Sequence, residues 1–174
     1  DPIRPESADA MARVAEKIHI PIATGERFAT IYEFQALLAR GGVEYARVDV
    51  CLCGGITGAR KVAAMAEAHQ VQVVPHNPLS PIGLAACLQV AAAIPNFAIQ
   101  EYATGFEAGI FESRPEHLGS NIVDKVPLPD NGFVDIPTGP GLGMNLLKDA
   151  QKIRPPLSKP ISMRPHFDGF VVDQ

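Results

Sequence analysis

From its start to about position 102 the chain repeats one pattern every 25 residues or so: a helix-like stretch, then a short strand-like one. Glu6 and Ser7 precede Met11, Val14, Ala15 and Ile18, whose i, i+3, i+4, i+7 spacing predicts an amphipathic helix over 6–18. Ile20-Pro21-Ile22-Ala23-Thr24 reads as a short buried strand. Ile31, Phe34 and Leu38 mark the next helix, Gly41-Gly42 stops it, and Tyr45 to Val50 is strand-like again. A helix over about 57–69 leads into Val71-Gln72-Val73-Val74-Pro75, and one over about 80–93 leads into Phe97-Ala98-Ile99-Gln100. Predicted strands thus start near 20, 45, 71 and 97.

Strands that alternate with helices at this period imply right-handed βαβ crossovers and a parallel sheet, because a parallel connection needs a dozen or more residues. An open dinucleotide-binding sheet would carry G-x-G-x-x-G directly after a strand, and none of these strand ends does. The expected class is therefore α/β, as a (β/α)8-type barrel. Four strands make only half of such a barrel, which typically takes about 250 residues. After about residue 103 the texture changes. Prolines at 127, 129, 137, 140, 155, 156, 160 and 165 break every candidate helix except a short one near 144–153. The predicted organisation is residues 1–102 as half-barrel and 103–174 as an extended tail that wraps back onto other structure. Gly139-Pro-Gly-Leu-Gly143 lacks the Lys-Ser or Lys-Thr of a phosphate loop, and Pro140 removes a donor, so it reads as a turn entering that helix.

Charge and composition narrow the partners. Fifteen Lys and Arg against nineteen Asp and Glu give a net charge of -4, with 6% aromatics and no basic run, so nucleic acid is not an expected partner. No apolar run approaches the roughly 18 residues of a membrane span, and Asp1-Pro2-Ile3-Arg4-Pro5 is unlike a signal peptide. The expectation is a cytoplasmic protein. Cys51, Cys53 and Cys87 form no Cys-x-x-Cys pattern and are read as free thiols.

In a parallel barrel the side chains that do chemistry sit at the C-terminal strand ends. Here those positions carry Glu26, Asp49, His76 and Glu101, spaced 23, 27 and 25 residues apart, which follows the repeat and places all four around one mouth. An imidazole is a usable base near neutral pH, and a carboxylate on the adjacent strand sets its tautomer, so Asp49 and His76 form a candidate dyad. Glu26 and Glu101 are hard oxygen ligands or hydrogen-bonding groups, of the kind Mg²⁺ accepts. A cation facing a His base suits proton abstraction next to a carboxylate, where enediolate charge is the difficulty. Other candidates are weaker. His19 and His69 read as structural, and His117 and His166 lie in the tail with nothing to fix them at a site. Cys51 and Cys53 read as packing or loop residues, and Ser80 lacks the Gly-x-Ser-x-Gly of a nucleophile elbow.

Ile22-Ala23-Thr24-Gly25-Glu26-Arg27, Val48-Asp49 with Gly54-Gly55-Ile56, Val74-Pro75-His76-Asn77-Pro78-Leu79-Ser80-Pro81, Gln100-Glu101 and Pro140-Gly141-Leu142-Gly143 occur in an order and spacing that resembles one family. This is the C-terminal half of the enolase superfamily of the mandelate racemase type, within it the acid-sugar dehydratases of the galactonate dehydratase kind. The resemblance implies a half (β/α)8 barrel followed by a segment returning to barrel and capping domain. It implies Glu26 as the third Mg²⁺ ligand, Asp49 and His76 as the base dyad, and Glu101 as the carboxyl that hydrogen-bonds the substrate carboxylate. The implied activity is an Mg²⁺-dependent hydro-lyase that takes the proton α to the carboxylate of a sugar acid and expels the β-hydroxyl, giving a 2-keto-3-deoxy acid. The alternatives are a racemase or epimerase of a 2-hydroxy acid on the same scaffold, or a catalytically inert fragment that persists by association. A homo-oligomer is expected. The first two metal ligands would fall outside the chain, with Asp1 as the non-ligating member of an acidic pair, and the 174 residues by themselves are expected to show no turnover.

Overall fold

The structure is a computed structural model that describes residues 1–78, 80–102, 119–156, 164–165 and 171–172. Helices α1 (Ala8–Ala15), α2 (Ile31–Ala39), α3 (Gly55–Ala68) and α4 (Pro81–Ala92) alternate with strands β1 (Ala23–Thr24), β2 (Tyr45–Asp49) and β3 (Gln72–His76). The strands form one parallel sheet in the order β1-β2-β3, as the repeat predicts. Local signals set the helix starts. Ser7 Oγ accepts from Ala10 N–H, Thr30 and Glu33 close a reciprocal capping box, and Ser80 Oγ accepts from Gly83 N–H with Pro81 at the first helical position.

Helices cover one face of the sheet. Ala46, Val48 and Val73, alternating along β2 and β3, pack with Met11, Phe34, Leu37, Leu38, Val62 and Ala66 in a single core. Phe28 meets Phe34 edge-on, with centroids 5.2 Å apart. Each such side chain contributes about 1.5–3 kcal/mol on burial. The opposite face, carrying Tyr45, Arg47 and Val74, is only partly covered and borders an open groove of about 740 Å³.

Three predicted elements differ. The first strand is Ala23–Thr24 rather than 20–24. Pro21 lacks a donor, and Ile22 N–H is taken by the Glu44 side chain at 2.7 Å, so regular pairing begins only afterwards. The strand expected over 97–100 is reduced to one parallel bridge, Val73 to Phe97. Val73 uses both its backbone groups here: its N–H donates to Asn96 O (2.8 Å) and its carbonyl accepts from Ala98 N–H (3.0 Å). The next β3 residue facing this neighbour is Pro75, which has no N–H, and its carbonyl is met by the Gln100 side chain at 3.2 Å. The ladder stops there. The helix expected near 144–153 is a single turn, α5 (Ala150–Ile153), because Leu146 instead bridges Val123.

The described part of the tail contains a hairpin that the proline count concealed, β4 (Pro129–Asp130) and β5 (Phe133–Val134). Asn131-Gly132 makes its two-residue turn, both at positive φ. Val126 and Val134 pack with Tyr102 onto Leu84 and Leu88 of α4, and Gln89 Nε2 donates to Pro137 O at 2.6 Å. Two further short strands, β6 (Arg164–Pro165) and β7 (Val171–Val172), pair antiparallel. Residues 139–143 form the expected turn, with Gly143 N–H donating to Pro140 O at 3.1 Å.

Candidate active site

The register of β2 and β3 pairs Asp49 with His76 at the same ends of adjacent parallel strands, so their side chains emerge together. His76 Nδ1 lies 2.9 Å from Asp49 Oδ2. The Asp49 side chain is 4% exposed, and its second oxygen accepts from the Cys51 N–H (2.7 Å) and Leu52 N–H (3.2 Å) of the turn that follows β2. A carboxylate held this way accepts only, so Nδ1 donates to it, and in the neutral imidazole the lone pair falls on Nε2.

Nε2 faces the other two predicted residues, 3.9 Å from Glu26 Oε2 and 3.8 Å from Glu101 Oε2. Glu26 stands in the loop two residues beyond β1, where Gly25 adopts φ +120° and a Cβ would lie 2.6 Å from the Phe34 ring. Glu101 follows the Val73–Phe97 bridge, and its Oε2 accepts from Asn77 N–H at 3.1 Å. All four residues singled out by spacing therefore meet in one cluster.

Two members of this cluster were missed by sequence reasoning. Arg47 reaches Glu26 Oε2 through one terminal nitrogen (2.6 Å) and Glu101 Oε2 through the other (2.8 Å). Strand parity could have found it, since it stands two residues before Asp49 on the same face. Asn77, 2% exposed, holds Glu101 through its backbone while its Nδ2 is buried without a partner among the described residues. Only its position beside His76 pointed to it.

The other candidates stand apart. His19 and His69 are exposed, and Ser80 serves as the α4 cap. His117 and His166 lie outside the described residues. Burial first, and the nearby Asp49 charge second, push the Cys53 thiol up to about 11. Cys87 is pushed up to about 12, by burial and then by Cys51 and Asp49. Such thiols stay protonated and make poor soft-metal ligands, which fits packing roles.

Among the described residues no three His, Cys, Asp or Glu side chains are grouped as a metal site. Glu26 nonetheless suits one place in an oxygen-ligand set. Its Oε2 is engaged by Arg47, whereas no described residue donates to its Oε1. That leaves a hard, anionic donor at the rim of the cluster.

Residues 1–150 match the enolase C-terminal domain-like family. The D-galactonate dehydratase of Verminephrobacter eiseniae is 36% identical over 182 residues, covering 99% of this chain and 45% of the relative. That of Ralstonia nicotianae is 36% identical over 177 residues with the same coverage. Among solved structures, an enolase from Agrobacterium radiobacter with bound sodium and L-malate superposes with a TM-score of 0.82 at 29% identity, over 98% of this chain and 44% of that one. A mandelate racemase/muconate lactonizing enzyme from Jannaschia sp. CCS1 gives 0.77 at 29% identity, over 91% and 38%. The chain thus spans a little under half the length of the curated relatives it matches. Sequence match, parallel half-barrel and superposition agree, and the chain belongs to the enolase C-terminal domain-like family.

Proposed function

We propose that this chain carries the proton-abstracting side of an Mg²⁺-dependent acid-sugar dehydratase, with a galactonate-like acid as substrate. The observation that carries the reading is the placement of His76: Nδ1 lies 2.9 Å from buried Asp49, and Nε2 is turned toward Glu26 and Glu101. The relatives named D-galactonate dehydratase support the choice of reaction and substrate class.

His76 Nε2 takes the proton α to the substrate carboxylate. Asp49 Oδ2 accepts from Nδ1 throughout and offsets the imidazolium charge as it forms, worth roughly 10²–10⁴-fold for general-base catalysis. Glu101 meets the substrate carboxylate, sharing a proton through the carboxyl oxygen that Arg47 and Asn77 do not hold. Glu26 would be one ligand to Mg²⁺, which when bound would supply positive charge against the enediolate. An acid protonates the β-hydroxyl so that it leaves as water, and the resulting enol takes up a proton at C3 to give the 2-keto-3-deoxy acid.

The test is solvent exchange of the substrate α-proton, followed by NMR in the intact protein with Mg²⁺. His76→Asn is expected to abolish exchange and leave Mg²⁺ binding close to wild type, whereas Glu26→Gln weakens Mg²⁺ binding. Retained exchange in the His76 variant would remove it as the base. Exchange in wild type without elimination would move the reading to racemisation.

A further inference from the structure

We propose that Gln100 is a positioning residue: its side chain stands in for a rung of the sheet, holds the following backbone off β3, and so sets where the Glu101 carboxylate lies in the cluster. What this implies for turnover rests on the dehydratase reading; the placement of Glu101 does not.

In a parallel ladder alternate residues of one strand each donate to one residue of the neighbour and accept from the residue two further on. Val73 follows this rule, donating to Asn96 O at 2.8 Å and accepting from Ala98 N–H at 3.0 Å. Continued, the rule would give the Pro75 carbonyl to Gln100 N–H and the Asn77 N–H to Gln100 O. Side chains take both places instead. Pro75 O accepts from Gln100 Nε2 at 3.2 Å, and Asn77 N–H donates to Glu101 Oε2 at 3.1 Å. Two successive side chains thus continue a ladder that the backbone leaves. Gln100 Nε2 also donates to Glu101 O at 2.7 Å, so one amide ties β3 to the backbone of the residue that it places.

A primary amide suits this place. Both neighbours of Nε2 are carbonyl oxygens, so a flipped amide would set oxygen against oxygen, and only the NH₂ can face them. Oε1 is buried with no donor among the described residues. That is a cost which an apolar side chain of the same size would avoid, and packing alone does not account for it. Length matters as well. One Glu101 oxygen meets both the Asn77 N–H and the Arg47 guanidinium, at 3.1 and 2.8 Å, and it does so from a backbone set back from β3 by the Gln100 side chain. A residue that let this backbone close onto Pro75 O would carry Glu101 with it and break that reach.

The experiment reads Glu101 through the amide that donates to it. In the intact protein labelled with ¹⁵N-asparagine, solvent exchange of the Asn77 N–H is followed by NMR. Asn145 N–H, which donates to Asp124 Oδ1 at 2.9 Å in the tail, is the control. The kcat/KM for α-proton exchange with galactonate and Mg²⁺ is measured in parallel. Gln100→Met fills the same space without donors. It is expected to speed exchange of the Asn77 N–H and to lower kcat/KM, each by about 10-fold, the scale of one lost hydrogen bond, with Asn145 unchanged. Gln100→Asn keeps the amide on a side chain one methylene shorter. It can hold Pro75 O only by drawing the backbone toward β3, and should release the Asn77 N–H as the Met variant does. An Asn77 N–H as protected as in wild type in Gln100→Met would overturn the proposal even if the melting temperature fell, since that is the result of a purely structural role. Wild-type protection in Gln100→Asn would equally overturn it, because the bond would then matter and the spacing would not. If Asn77 responds as expected but wild type exchanges no α-proton, the dehydratase reading fails and the placement of Glu101 by Gln100 stands.

Discussion

Replacing Asp49 by Asn should damage the site more than replacing it by Ala, although Asn is nearly isosteric. The reason lies in the turn after β2. One Asp49 oxygen accepts from both Cys51 N–H (2.7 Å) and Leu52 N–H (3.2 Å), while the other accepts from His76 Nδ1 at 2.9 Å. An Asn carbonyl must stay with the two backbone donors, because the reverse orientation sets an NH₂ against two N–H groups. Leu52 N–H has a second acceptor in the Asp49 backbone carbonyl at 3.2 Å, so the reversal leaves Cys51 N–H unpaired, at a cost of about 1–3 kcal/mol. The Asn NH₂ therefore faces Nδ1, which becomes an acceptor, and the imidazole proton moves to Nε2. Restoring the working tautomer would cost those same 1–3 kcal/mol, a rate loss of about 5-fold to 150-fold. Ala imposes no tautomer on the ring, and its cost falls on the stability of the turn instead. The assay is α-proton exchange by NMR for both variants, with thermal melts to separate folding from chemistry. The reasoning fails if Asp49→Asn exchanges as fast as Asp49→Ala.

Two further outcomes test the surroundings of the site. A Cβ at Gly83 would lie 2.5 Å from Asn77 Oδ1 and 3.4 Å from Cys51 Sγ, so Gly83→Ala should lower the urea midpoint by an amount equivalent to about 1–3 kcal/mol. Because Asn77 N–H holds Glu101, α-proton exchange should fall further than stability accounts for, and a variant as stable as wild type would contradict the packing. The buried Cys87 thiol ionises near 9.0 when unfolded but is pushed up to about 12 in the fold. The folded state thus resists losing this proton, and the contribution is complete below about pH 9 and disappears as pH rises toward 12. Melting temperature should fall over that window more steeply in wild type than in Cys87→Ala, and parallel slopes would count against the shift.

What the sequence discloses and what it hides have separate physical causes. The period of the repeat reports burial on the helix-facing side, so the four helices, the parallel sheet and the positions of Glu26, Asp49, His76 and Glu101 can be read from spacing alone. The fourth strand cannot. Phe97-Ala98-Ile99-Gln100 has the composition of a strand, but whether it pairs depends on its neighbour, and the donor it needs beyond the first bridge belongs to Pro75. Proline at that position leaves β2 and β3 fully paired, because alternate residues of a parallel strand bond to opposite sides, and 75 faces outward from that pair. The same residue therefore ends a ladder on one side while the Asp49–His76 register survives on the other. Arg47 was hidden for a different reason. Its neighbours in the chain are apolar, and its importance comes from two acids 21 residues before it and 54 after it, which meet only once the sheet is formed. A period finds residues that repeat; it is silent about the one that joins them, and here that residue is the arginine with which both glutamates pair.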